Sequence, residues 1–131
     1  MYEIILGVDN SEARARAAAN AVADMPVDTT DVHVTILHDF TDNPEGASVT
    51  DVASVRRAAE ILEDADFGVT LEESSGDPAD ALVDLADKVD ANMIVVGGRK
   101  RTPTGKVLFG SVTQGVILST ERPVLVVSSK K

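Results

Sequence analysis

Apolar positions along the chain follow two rhythms that alternate from one end to the other. Glu3-Ile4-Ile5-Leu6-Gly7-Val8-Asp9 is apolar almost without interruption, the pattern of a strand covered on both faces. Asn10 and Ser11 then offer caps for an Ala-rich segment over residues 11–25, which Pro26 ends. Val32-His33-Val34-Thr35-Ile36-Leu37-His38 is a second strand, rich in β-branched residues, and residues 39–50, with Asn43-Pro44-Glu45-Gly46, form the longest loop. Val52, Val55, Ala59 and Leu62 recur at helical spacing across residues 51–65, opposite Arg56, Arg57, Glu60 and Glu63. Gly68-Val69-Thr70-Leu71-Glu72 alternates apolar and polar, as a half-exposed edge strand does.

A third helix has a strong start. Gly76 precedes Asp77 as cap, Pro78 takes the first helical position and Asp80 lies in the first turn. Leu82, Leu85, Ala86 and Val89 form its buried stripe. Met93-Ile94-Val95-Val96 is a fourth strand, followed by a Gly-rich basic loop, a helix over residues 108–120, and Pro123-Val124-Leu125-Val126-Val127 as the last strand. This alternation predicts one α/β domain over residues 1–131, with a five-stranded, mainly parallel, doubly wound sheet carrying helices on both faces. Ligands bind such sheets beyond the carboxyl ends of the strands, where the winding reverses. Periodicity alone does not say which strands flank that reversal.

Composition sharpens the picture in two ways. The chain has 131 residues, no cysteine and a net charge of −10, which argues against general binding to nucleic acid or anionic membranes. The first residues lack the basic segment and long apolar core of a signal peptide, and no apolar run reaches membrane-spanning length, so the expected location is the cytoplasm. Asp outnumbers Glu 14 to 8 and Lys numbers only 5, a bias that suits a halophilic protein solvated in concentrated salt; the alternative is an ordinary acidic cytosolic protein. The charge is also unevenly placed. Residues 1–98 carry 5 basic and 21 acidic side chains, net −16, whereas residues 99–131 carry 7 and 1, net +6. Arg99, Lys100, Arg101 and Lys106 all lie in the loop after the fourth strand.

That loop invites several chemistries. Gly105-Lys106 suggests a P-loop, but the motif needs Gly where Lys100 stands and Ser or Thr where Val107 stands, so it is rejected. Glycines at 97, 98, 105 and 110 allow close backbone approach to a ligand, and the N–H groups at the next helix start favour phosphate. The alternative is a solvated basic loop beside the sheet. Asp9 likewise has two readings: a turn residue before a cap, or a carboxylate that accepts hydrogen bonds from a ligand's base or ribose. Ser11 and Ser111 stand at expected caps, and Ser111 could also donate to a phosphate. His33 and His38 lie five apart in one strand and point to opposite faces, which speaks against a shared metal.

Together, Ile4-Ile5-Leu6-Gly7-Val8-Asp9-Asn10-Ser11, Gly76-Asp77-Pro78, Ala91-Asn92-Met93-Ile94-Val95-Val96-Gly97, Phe109-Gly110-Ser111-Val112-Thr113 and Arg122-Pro123-Val124-Leu125-Val126-Val127 resemble the universal stress protein family. The resemblance runs along essentially the whole chain. It implies a Rossmann-like sheet of order 3-2-1-4-5, with the reversal between the first and fourth strands. It further implies a stress-response regulator that binds an adenine nucleotide, ATP first and AMP or ADP as smaller alternatives, at Val8, Asp9, Asn10, Asp39, Val96, Gly97, Arg99, Lys100, Gly110, Ser111 and Val112. ATP-binding members carry Gly-x-x-Gly and, after a spacer, Gly-Ser or Gly-Thr. Here Gly97 matches the first glycine and Gly110-Ser111 the final pair, but Lys100 replaces the second glycine. Asp39 also departs from the apolar residue that often follows this histidine. Mg²⁺ would accompany a polyphosphate, although no carboxylate pair for it and no catalytic residues can be named, so the reading is a binding protein with at most weak ATPase activity. The resemblance also implies a homodimer paired through Val124, Leu125, Val126 and Val127. The contrasting reading is a nucleotide-free dimeric interaction module whose basic loop docks an acidic partner.

Overall fold

The computed structural model describes residues 1–40, 46, 48–101, 107–108 and 110–128, the side chains of residues 98–101 and 107–108 excepted. In chain order the elements are β1 (Tyr2–Gly7), α1 (Glu12–Ala23), β2 (Val32–Asp39), α2 (Ala53–Asp64), β3 (Gly68–Ser74), α3 (Pro78–Val89), β4 (Met93–Arg101), β5 (Val107–Leu108), α4 (Ser111–Ser119) and β6 (Val124–Ser128). Five strands form a wholly parallel sheet in the order β3-β2-β1-β4-β6. Counting the expected strands alone, this is the order 3-2-1-4-5, because β5 lies outside that sheet.

The uninterrupted apolar run of β1 has the expected cause. Ile4, Leu6 and Val8 enter one core with Ala15, Ala18 and Val22 of α1 and Val55 and Leu62 of α2. Ile5 enters a second core on the other face, with Leu37, Ala79, Leu82, Ile94, Val96 and Val116. Ile4, Ile5 and Leu6 have no exposed surface, and each such side chain contributes about 1.5–3 kcal/mol of burial free energy. On the second face α3 and α4 pack closely: a Cβ added to Gly115 would stand 2.9 Å from Cβ of Ala79.

The segment after Val96 departs from the expected loop. β4 continues to Arg101 and turns into an antiparallel pairing with β5, Lys100 opposite Leu108 and Arg101 opposite Val107. Glycine and, to a lesser degree, lysine are depleted in strands, so the sequence concealed this extension; the backbone is held because β6 pairs with β4 out to Ser128, with a register irregularity between Gly97 and Arg99. The helix cap is corrected as well. Gly110, not Ser111, is the N-cap of α4, in extended conformation, and its carbonyl accepts from the Gln114 N–H at 3.0 Å. Ser111 is the first helical residue, and no side chain caps this end. Ser11 does cap α1, and Asp77 caps α3 by accepting from the N–H groups of Ala79 and Asp80.

Candidate functional site

The winding reverses at β1, whose two neighbours are β2 and β4. β1 and β4 pair only from Ile4–Met93 to Leu6–Val95, and beyond that register a cleft of about 210 Å³ opens. Its walls are Gly7, Val8, Asp9, Asn10, Arg14 and Ala15 on the β1–α1 side, Leu37, His38 and Asp39 at the end of β2, and Val96, Gly97, Val112 and Thr113 on the β4–α4 side. Pro78 and Leu82 of α3 complete it.

Backbone and side chains fix the first wall firmly. The Val8 N–H donates to the Leu37 carbonyl at 3.0 Å. Asp9 uses both carboxylate oxygens, accepting from the Ser11 N–H at 2.9 Å and from Arg14 Nε at 3.0 Å, while the Ser54 hydroxyl donates to its backbone carbonyl. The turn reading of Asp9 is therefore realised. Its side chain nevertheless remains 56% exposed, so lone pairs stay within reach of a ligand. An exposed ion pair of this kind contributes about 0.2–1 kcal/mol; its main effect is to hold a carboxylate and a guanidinium together at the mouth.

At the end of β2, alternate residues face opposite sides of the sheet. His38 is buried and donates from Nδ1 to the Val8 carbonyl at 2.7 Å; since a carbonyl can only accept, this contact places a proton on Nδ1. The ring meets Phe40 edge-on, with centroids 4.7 Å apart. Asp39, paired in register with Ser74, accepts from the Ser74 hydroxyl at 2.7 Å through Oδ1, and its Oδ2 is buried without a hydrogen-bond partner. His33 belongs to another place entirely, hydrogen-bonded to Glu3 and Thr70.

The opposite wall is built differently. Thr113, almost fully buried, donates to the Gly97 carbonyl at 3.0 Å and so ties α4 to β4. A Cβ placed on Gly97 would meet its nearest protein atoms at 3.6–3.7 Å, ordinary contact, and one on Gly110 would meet nothing within 4 Å. The fold itself does not demand glycine at either position.

Seven of the expected residues, Val8, Asp9, Asn10, Asp39, Val96, Gly97 and Val112, thus line one cleft. Gly110 and Ser111 lie at the start of α4 and are not part of that lining. The side chains of Arg99 and Lys100 fall outside the described residues. Arg14, His38, Thr113, Pro78 and Leu82 were not among the expected site residues. Arg14 could have been found by asking which cation in the first turn of α1 reaches back to Asp9; Pro78 and Leu82 depend on how α3 crosses the sheet, which no local pattern reports. Among the described residues no group of three His, Asp or Glu side chains is placed to hold a metal ion, and Asp9 is engaged by Arg14.

A parallel sheet that reverses its winding beside a cleft at the carboxyl ends of β1, β2 and β4 defines the class: a Rossmann-like α/β ligand-binding fold. The sequence model described as the universal stress protein family matches residues 1–128, and the chain belongs to that family. A universal stress protein from Archaeoglobus fulgidus has a TM-score of 0.77 at 30% identity, over 97% of this chain and 98% of its own. A universal stress protein in complex with cAMP gives 0.74 at 27% identity over 98% of both chains. A universal stress protein from Archaeoglobus fulgidus in complex with dAMP gives 0.71 at 25% identity, over 97% of this chain and 98% of its own. The chain spans less than half the length of the curated relatives it matches, from 31% to 46% of them. No helix among the described residues is long and apolar enough to cross a membrane.

Proposed function

We propose that the cleft between β1 and β4 binds an adenine nucleotide, ATP with AMP or ADP as the smaller alternatives, as a regulatory ligand of a cytoplasmic stress-response protein. The observation that carries this reading is the convergence of Val8, Asp9, Asp39, Val96, Gly97 and Val112 on one cleft at the winding reversal, in a chain whose solved relatives hold cAMP and dAMP. The space beside Gly97 supports it: a glycine that the protein's own packing does not require leaves room for a ligand to touch backbone. The uncapped first turn of α4 directs N–H groups toward the same end of the molecule, which suits phosphate oxygens.

The test is thermal unfolding in concentrated salt with ATP, AMP and inorganic phosphate. A ligand present at about a hundred times its Kd stabilises the folded chain by about 2.7 kcal/mol. Failure of both ATP and AMP at millimolar concentration to raise Tm defeats the reading, and an equal response to phosphate reduces it to generic anion binding. The same experiment examines the salt adaptation implied by the acidic composition: Tm rises as KCl screens the self-repulsion of residues 1–98.

Dimerisation belongs to the same proposal. β6 pairs with β4 on one side only among the described residues, and Val124, Leu125, Val126 and Val127 are all partly buried. An apolar edge of this kind is a pairing surface. Antiparallel association of two such edges is expected, and a monomer by light scattering at every concentration rules it out. The second reading, an interaction module docking an acidic partner, draws on the basic residues that follow Val96, with Lys100 and Arg101 carried by the antiparallel β4–β5 pairing.

A further inference from the structure

Among the described residues that line the cleft, Arg14 is the lone Arg or Lys, set against two carboxylates, Asp9 and Asp39. It stands in the first turn of α1. Its Cβ lies 3.6 Å from the place that a Cβ on Gly97 would take, so the side chain springs from the point where α1 meets the end of β4. Arg14 Nε donates to Asp9 Oδ2 at 3.0 Å, and the other oxygen of that carboxylate accepts from the Ser11 N–H at 2.9 Å. The carboxylate is thus fixed by backbone, and the guanidinium is fixed by the carboxylate.

A guanidinium carries five N–H donors. The bond to Asp9 uses one, and among the described residues no acceptor engages the four on Nη1 and Nη2. The side chain is 34% exposed, which leaves this fork within reach of a ligand entering the cleft. A planar guanidinium matches two phosphate oxygens at once. A phosphate resting on the backbone of Gly97 comes against Arg14, because the two residues are in contact. Charge decides the need for it: without Arg14 the described lining would offer a phosphate two carboxylates and no Arg or Lys.

Resting on the nucleotide reading above, we infer that Arg14 is a specificity-determining residue of this cleft, its guanidinium, held in place by Asp9, receiving the ligand's 5′-phosphate and so selecting phosphorylated nucleosides over nucleosides. Holding the fork in position beforehand reduces the ordering cost of that contact. The plainer role, in which Arg14 only neutralises Asp9, makes a different prediction for a chain whose Asp9 has no charge.

The experiment measures the ratio of AMP to adenosine affinity by calorimetry in concentrated KCl, on the full chain and three variants. The wild-type chain binds AMP at least about tenfold more tightly than adenosine. Arg14→Ala brings the ratio toward unity. Asp9→Asn keeps the ratio or raises it, since the competing carboxylate is gone, and Asp9→Asn/Arg14→Ala brings it down again. Because the readout is a ratio, a contact that Asp9 makes to the sugar cancels from it. Equal wild-type affinity for AMP and adenosine overturns the inference while leaving ligand binding intact, and so does an unchanged ratio in Arg14→Ala. A double variant with the same ratio as Asp9→Asn also overturns it, by showing that Arg14 acts only through Asp9. Absence of any binding of AMP or adenosine overturns the functional reading and this inference with it.

Discussion

The two walls of the cleft are made on different principles. On the β1–α1–β2 wall the polar surface is side chain, and much of it is pinned: Asp9 by Ser11 and Arg14, His38 by the Val8 carbonyl, Asp39 by Ser74. On the β4–α4 wall it is mainly backbone, with Thr113 the residue that fastens Gly97 to α4. A wall of oriented side chains can select among ligands by donor and acceptor pattern. A wall of glycine backbone and a helix start can accept charge and shape without discriminating finely. Mutations should therefore fail in different ways on the two sides, by altered selectivity on one and by lost affinity or displaced α4 on the other.

The largest effect is expected where the second wall is braced from behind. Gly115→Val forces a branched side chain into the 2.9 Å approach to Ala79 and should cost about 1–3 kcal/mol in chemical denaturation, with nucleotide response falling alongside as α4 is pushed off α3. Retention of both stability and binding would show that α4 is free to move. Next, Gly97→Ala separates fold from ligand. Because a Cβ fits the apo packing, denaturation should change by less than about 1 kcal/mol, while affinity for AMP drops on the order of tenfold from backbone crowding. An alanine variant that binds as tightly as wild type would remove Gly97 from the ligand contact.

A smaller effect belongs to the first wall. Arg14→Ala releases Asp9 from a partly exposed pair, costing about 0.2–1 kcal/mol of stability, and the loss should shrink as KCl is raised. A salt-independent loss would mean that Arg14 acts by packing. The smallest lies outside the cleft and serves as a control on acid sensitivity. The Thr30 hydroxyl and N–H hold the Asp28 carboxyl below its usual value. Its contribution is thus present above the ordinary Asp range and is lost as pH falls through the lowered value. Asp28→Asn should slightly flatten the acid limb of the stability curve while leaving nucleotide affinity at neutral pH unchanged; an affinity change would show coupling to the cleft.

How far the sequence disclosed this arrangement differs between the walls too. The unbroken apolar run of β1 announced a strand covered on both faces, and the two cores divided by Ile4 and Ile5 are its outcome. Asp77 and Pro78 announced the start of α3 because their chemistry is local, and Asp77 accepts from Ala79 N–H at 2.9 Å. The strand order came from family resemblance, since hydrophobic period carries no information about neighbours in space. Beyond Val96 the local signals mislead: Gly97, Gly98 and the following cations look like a loop, yet β6 supplies hydrogen-bonding partners that propensity cannot anticipate. Ser111 was misplaced by one residue, because Gly110 can serve as cap with its backbone alone. Thr113 and Leu82 were invisible as site residues for a simpler reason. Each reads as an ordinary buried helix position until the crossover sets it over the strand ends.

The five wall segments of the cleft, around residues 7–15, 37–39, 78–82, 96–97 and 112–113, are scattered over more than a hundred positions and meet only after β4 has docked beside β1. A chain released early or clipped within α3 has no such surface to offer. Occupancy is thereby a certificate of completed assembly. A molecule holding its ligand resists proteases through mass action on the folded state, and in a cell that distinction would separate finished copies from those still to be cleared.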